Sequence, residues 1–75
     1  MKELVEYIAR GLVDHPEKVS VAELPQANLT IYELEVAPDD MGKVIGRQGR
    51  MVNSIRALVK AAAVRRGIRV NVEVV

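Results

Sequence analysis

Two glycines within four residues, Gly46-Arg47-Gln48-Gly49, stand between a short helical stretch and a long amphipathic one. Glycine alone enters the left-handed region freely and lets another backbone approach closely, so this spacing predicts a break at Gly46. Before it, Pro38-Asp39-Asp40 opens a helix of little more than a turn or two. Both aspartates fall near its N-terminus, where acidic groups meet unpaired N–H groups and the positive dipole end. After it, Met51, Val52, Ile55, Leu58, Val59, Ala62 and Ala63 share one arc of a helix over Arg50–Arg66, opposite Arg50, Asn53, Arg56 and Lys60. Gly67 suits the helix end, with Arg65 and Arg66 beside the negative dipole end.

Upstream, Leu4, Val5, Ile8, Ala9, Leu12 and Val13 lay one apolar stripe along a helix from Lys2 to Val13, which Asp14-His15-Pro16 ends. KVSVAEL (18–24) and LTIYELEVA (29–37) alternate as strands around the turn residues PQAN, which predicts an antiparallel hairpin. Tyr32, Leu34 and Val36 fall on one face, and Ile31, Glu33 and Glu35 mostly on the other. Ile68 to Val74 alternates as a third strand. The order α-β-β-α-α-β predicts an α+β fold, three helices on one face of a three-stranded sheet, with residues 1–75 as one domain.

A chain of 75 residues buries a small core, so a partner subunit is a natural source of added stability. With no Cys and only His15, disulfides and the usual zinc ligand sets are excluded, and nucleophile–base arrangements are thin. His15 beside Asp14 lacks a Ser or Cys partner and reads as a solvated or capping turn residue. No cofactor or metal is expected. No apolar run reaches the length of a membrane span and the charged N-terminus is unlike a signal peptide, which predicts a cytoplasmic protein.

The net charge of +1 conceals an asymmetry. Residues 1–40 carry three basic side chains against nine acidic ones, whereas residues 41–75 carry eight against one. A cationic half on a near-neutral chain points to a local anion-binding surface, although solvation of a helix face explains such charge equally well. The turn at 46–49 gives the asymmetry a focus. A phosphodiester needs N–H donors it can approach closely, and a glycine turn opening a helix supplies them, with Lys43, Arg47 and Arg50 adding formal charge. Alone, the pattern is a weak signal and more often a plain helix–turn–helix link.

The segment Val44-Ile45-Gly46-Arg47-Gln48-Gly49-Arg50-Met51-Val52-Asn53-Ser54-Ile55 resembles the signature of KH domains, with an apolar pair before GxxG and apolar residues three and six positions after its second glycine. The element order resembles the type II arrangement, and the length is similar to the small single-domain bacterial KH proteins of the KhpA/YlqC type. That resemblance implies single-stranded RNA, or less often DNA, held in a narrow groove whose GxxG loop clamps the backbone. By carry-over, Gly46, Arg47, Gln48 and Gly49 form the clamp, and Val44, Ile45, Val52 and Ile55 form the groove floor. Ile68 and Val70 form the opposite wall. Ordinary core is the safer reading for Val44, Val52 and Ile55 taken singly. Arg47 and Gln48 are compatible with phosphate, which acidic loops would repel. The short link at Arg66-Gly67, where type II domains often carry a longer loop, implies weak, unspecific binding by one domain.

For Arg56 and Lys60, solvation outweighs nucleic-acid contact, and Arg65, Arg66 and Arg69 cap or solubilise. With Tyr7 and Tyr32 as the only aromatics, platforms built on stacked bases are disfavoured. The leading expectation is a non-enzymatic RNA-binding module, an RNA chaperone or post-transcriptional regulator. The resemblance implies dimers, with itself or with a larger KH-containing chain of the KhpB/Jag type, and Ala57, Ala61 and Val64 leave part of the long helix small and apolar. The alternative is an interaction or dimerisation module with weak nucleic-acid affinity. Phosphate-transfer enzymology ranks third, since GxxxxGK[ST] is missing.

Overall fold

The computed structural model describes residues 1–75, apart from the side chain of Arg47. The elements are α1 (Lys2–Arg10), a 3-10 turn (Pro16–Lys18), β1 (Ser20–Pro25), β2 (Thr30–Glu35), α2 (Pro38–Arg66) and β3 (Val70–Val74). Within α2, Gln48 and Gly49 have φ of 62° and 70°. A right-handed helix needs φ near −63°, so α2 is two helical arms, 38–47 and 50–66, joined through a left-handed pair. Counting both arms, the chain is α-β-β-α-α-β, an α+β fold.

The break therefore falls two residues beyond Gly46, and the first arm outlasts the turn or two expected of it. Glycine permits a break without requiring one. Val44, fully buried, and Met41, packed against the core, keep the first arm helical until the chain has passed them. At the far end, Gly67 takes φ 68° and ψ 28°, its N–H bonding back to Ala63 and Val64 as a left-handed C-cap. The Ile68 N–H donates to the Ala63 carbonyl at 3.0 Å, so β3 begins only at Val70. The link between helix and strand is thus Gly67–Arg69.

The sheet order is β1-β2-β3. β1 and β2 form the expected antiparallel hairpin, while β3 joins β2 in parallel, which requires the long crossover that α2 provides. In register, Leu34 stands between Val21 and Val74, and Tyr32 between Glu23 and Val72. Val21, Tyr32, Leu34 and Val72 are buried with Val5 of α1 and with Val44, Val52, Ile55 and Val59 of α2. The other sheet face carries Glu33, Glu35 and Glu73, which point away from the helices.

Several expected boundaries shift. α1 stops at Arg10, where Gly11 donates its N–H to the Tyr7 carbonyl, and Val13 packs on the core from the connection instead. Pro16–Lys18 coil into the 3-10 turn, so β1 starts at Ser20, not Lys18. β2 occupies the centre of the expected span, Thr30–Glu35. Two residues expected on apolar arcs face solvent: Leu12, which lies beyond the end of α1, is 40% exposed, and Leu58 on α2 is 54% exposed. Arg56, expected on the solvated arc, is half-buried and donates from Nε to the Val72 carbonyl at 3.0 Å. The Val72 N–H donates to Asn71 Oδ1 at 3.1 Å. Among the described residues, no helix is long and apolar enough to cross a membrane.

The Tyr32 hydroxyl donates to Glu23 Oε2 at 3.0 Å across the hairpin. Burial, reinforced by that carboxylate, pushes its pKa from 10.0 up to about 12. The folded chain then keeps this proton to higher pH than the unfolded one, so the contribution is intact below pH 10 and is lost as pH rises towards 12. Urea midpoints measured from pH 9 to 12 should fall across the upper part of that range, and Tyr32→Phe should flatten the fall while costing about 1 kcal/mol at neutral pH.

Candidate nucleic-acid interface

The left-handed pair turns the chain so that both arms of α2 reach the same core. Val44 on the first arm and Val52 and Ile55 on the second are 0%, 6% and 0% exposed. These three groove-floor candidates are core side chains. Ile45, the fourth, is 50% exposed beside the turn.

Gly46 and Gly49 serve different ends. Gly49 carries the positive φ, and a Cβ there would sit 3.5 Å from Val52 Cγ1. Gly46 lies outside the left-handed region, and a Cβ on it would meet nothing within 4 Å. Neither conformation nor packing within the free chain demands glycine at position 46. Gln48, read from sequence as a compatible loop residue, shares the left-handed turn at φ 62°. A non-glycine residue there is uncommon, and such strain gathers where surrounding structure holds it.

Around the turn, Leu12, Lys43, Gly46, Arg50, Met51 and Ser54 line a hollow of about 550 Å³. Its walls are mostly apolar, with Lys43 and Arg50 as the cations. Arg50 makes no ion pair among the described residues. The second arm restarts at this turn, so its positive dipole end faces the same place. The Ser54 hydroxyl is used internally, donating to the Arg50 carbonyl at 2.9 Å. The Arg47 side chain, the third expected cation, lies outside the described residues.

Ile68 and Val70 line a different hollow, of about 210 Å³, with Lys60, Ala63, Val64 and Arg69. Among the described residues, the two hollows share no lining residue. The wall assigned by resemblance thus stands beside Lys60 and Arg69, cations that the sequence reading had left to solvation or capping. Arg65 and Arg66 are exposed in the last helical turn.

Two features of the rim escape sequence reasoning. Asp40 is fully buried and does not cap α2: its Oδ1 and Oδ2 accept the backbone N–H groups of Asp14 and His15 at 3.1 and 3.0 Å. An acidic residue in a first turn has two possible sets of N–H partners, and only the fold brings the 14–15 connection within reach. Beside it, Lys43 Nζ donates to Asp14 Oδ2 at 2.6 Å. That hydrogen bond, and then the ammonium charge, hold the Asp14 carboxyl below its ordinary value of 3.8. His15 stays at the surface, with its ring nitrogens 3.7 Å from Glu17 and Asp39.

A mixed sheet under helices, crossed by a helix that turns through GxxG between cations, defines the KH class. The KhpA/KhpB KH-domain family model matches residues 2–74, and the chain belongs to that family. It is 53% identical to the RNA-binding protein KhpA of Clostridium acetobutylicum and 55% identical to that of Clostridium perfringens, each over 100% of both chains. It is 45% identical to the RNA-binding protein KhpA of Chlamydia pneumoniae, over 99% of this chain and 95% of the relative. No solved structure matches the chain.

The two glycines should separate cleanly in urea denaturation. Gly46→Ala should match or exceed the parent by up to about 1 kcal/mol, since alanine favours helix and finds open space. Gly49→Ala should lose about 1–2 kcal/mol through the left-handed φ.

Proposed function

We propose that this chain is a non-catalytic module that binds single-stranded RNA at the turn 46–49, acting as an RNA chaperone or post-transcriptional regulator. The observation that carries the reading is Gly46. It gives up helix propensity, its Cβ position is empty, and it lines a hollow bounded by Lys43 and Arg50. A strand passing there finds backbone it can approach closely and cations for its phosphates, while Ile45, Leu12 and Met51 offer apolar surface for base edges. Arg47 and Gln48 complete the turn without negative charge, and Gly49 and Arg50 begin the second arm. Val44, Val52 and Ile55 back the site from the core. The names of the relatives, RNA-binding protein KhpA, point the same way. The reading requires no cofactor or metal, and it places the protein in the cytoplasm.

Titration of a short fluorescent single-stranded RNA should give affinity that falls as salt rises. Arg47→Asp with Gln48→Asp should weaken it about tenfold or more at low salt without altering the circular dichroism spectrum. Gly46→Ala should weaken it while remaining fully folded. Equal binding by all three chains overturns the reading, and an equal-length DNA strand reports whether the 2′-hydroxyl contributes.

A second reading, association through the helical face, is favoured by one observation. Tyr7, Leu58 and Leu12 are exposed at 78%, 54% and 40% and line a hollow of about 510 Å³ between α1 and the second arm. Ala57, Ala61 and, at 78%, Val64 are also exposed on that arm. We infer that this face seats a second copy of the chain, or a larger KH-containing chain of the KhpB/Jag type. Sedimentation equilibrium should show a dimer that Leu58→Lys converts to monomer; a monomer at every concentration removes the self-association arm.

A further inference from the structure

The Asp14–Lys43 pair lies on the rim of the hollow that the proposed function uses, and that function gives Asp14 no role. The pair is short, 2.6 Å from Nζ to Oδ2, yet the Lys43 side chain is 44% and that of Asp14 67% exposed. A pair this open to water adds little stability, so it can exchange partners without disturbing the core. Lysine is a compact charge with three donors, and a phosphate oxygen can replace a carboxylate oxygen on it directly.

Residue 14 is not placed by Lys43. Its backbone N–H, like that of His15, is bound by the buried carboxylate of Asp40, which fixes the connection to the first arm of α2. Breaking the side-chain pair therefore leaves the Asp14 carboxylate close by, able to recapture the ammonium. The other acids nearby, Glu17 and Asp39, face His15.

From this geometry we propose that Asp14 is an internal competitor for RNA phosphate: its carboxylate occupies Lys43 in the free chain, and a phosphate must displace it to bind. The proposal deepens the reading of the turn as an RNA site and rests on it. Asp14 thereby sets the affinity of the module. A strand gains Lys43 only by outcompeting a tethered anion, which favours rapid release over tight retention.

A double-variant cycle tests this with the same fluorescent single-stranded RNA. Asp14→Asn keeps the backbone N–H bound by Asp40, so its urea midpoint should stay near that of the parent. It should bind RNA about two- to fivefold more tightly at low salt. In a Lys43→Gln background, the same change should give no gain. If Asp14→Asn binds like the parent, or if its gain survives loss of Lys43, the competitor role is overturned, because Asp14 then acts as a bystander or as a remote charge.

The unmodified chain supplies a second readout. Followed by carboxyl-carbon NMR, the Asp14 titration midpoint should rise towards its ordinary value when RNA is added, since phosphate has taken its partner. An unchanged midpoint with RNA bound overturns the proposal. Failure of the turn reading looks different: the acidic Arg47 and Gln48 variant then binds as well as the parent, whatever Asp14 does.

Discussion

The left-handed pair at Gln48 and Gly49 is the constraint on which the rest depends. A straight α2 would carry Val52, Ile55 and Val59 away from the core that Val44 enters, leaving the sheet half covered. Bending the chain there costs on the order of 1–2 kcal/mol for the non-glycine member. Each large apolar side chain thereby buried contributes about 1.5–3 kcal/mol, and three lie on the second arm alone. Burial wins, and the turn is held by what it makes possible. The same bend brings the first-arm Lys43 and the second-arm Arg50 to one hollow. A structural necessity and a cationic surface therefore arise from one backbone feature.

Part of the acidic charge is set apart from the cations by strand alternation. Strand alternation sends Glu33, Glu35 and Glu73 to the open sheet face, whereas Lys43, Arg50 and Lys60 stand on the helical side. Among the described residues, the one fully buried carboxylate, Asp40, is committed to two backbone N–H groups. The open sheet face thus presents three carboxylates that repel an anion, whereas the helical side mixes its cations with Asp14, Glu17 and Asp39. The buried carboxylate also ties the α1–β1 connection to the first arm, so Leu12 and Lys43 form one rim although they are far apart in sequence.

Much of this was legible because it rests on local rules. The alternation of Tyr32 and Leu34, the hairpin at 26–29, the long helix from Arg50 and the left-handed cap at Gly67 each follow from a few neighbouring residues. Family membership was legible from twelve residues, 44–55, together with element order. The failures share a different cause. Nothing local distinguishes a glycine that breaks a helix from one that leaves its Cβ position empty, so the break was placed at Gly46 instead of Gln48–Gly49. Nothing near Asp40 announces the two N–H groups it accepts, and nothing near Arg56 announces the Val72 carbonyl. Spacing likewise assigned Leu12 and Leu58 to buried arcs, because periodicity gives the direction of a face but not its width.

The hydrogen bonds at Val72 have one more consequence. β3 is an outer strand, and its Val72 N–H and carbonyl are taken by Asn71 and Arg56, side chains of the same molecule. With the outward N–H and carbonyl of its central residue occupied, β3 makes a poorer template for another chain to extend the sheet. The guanidinium also places a charge at that border, where an incoming strand would have to strip it of water. Arg56 and Asn71 thus guard the β3 border against sheet-to-sheet growth, which leaves β1 as the other outer strand.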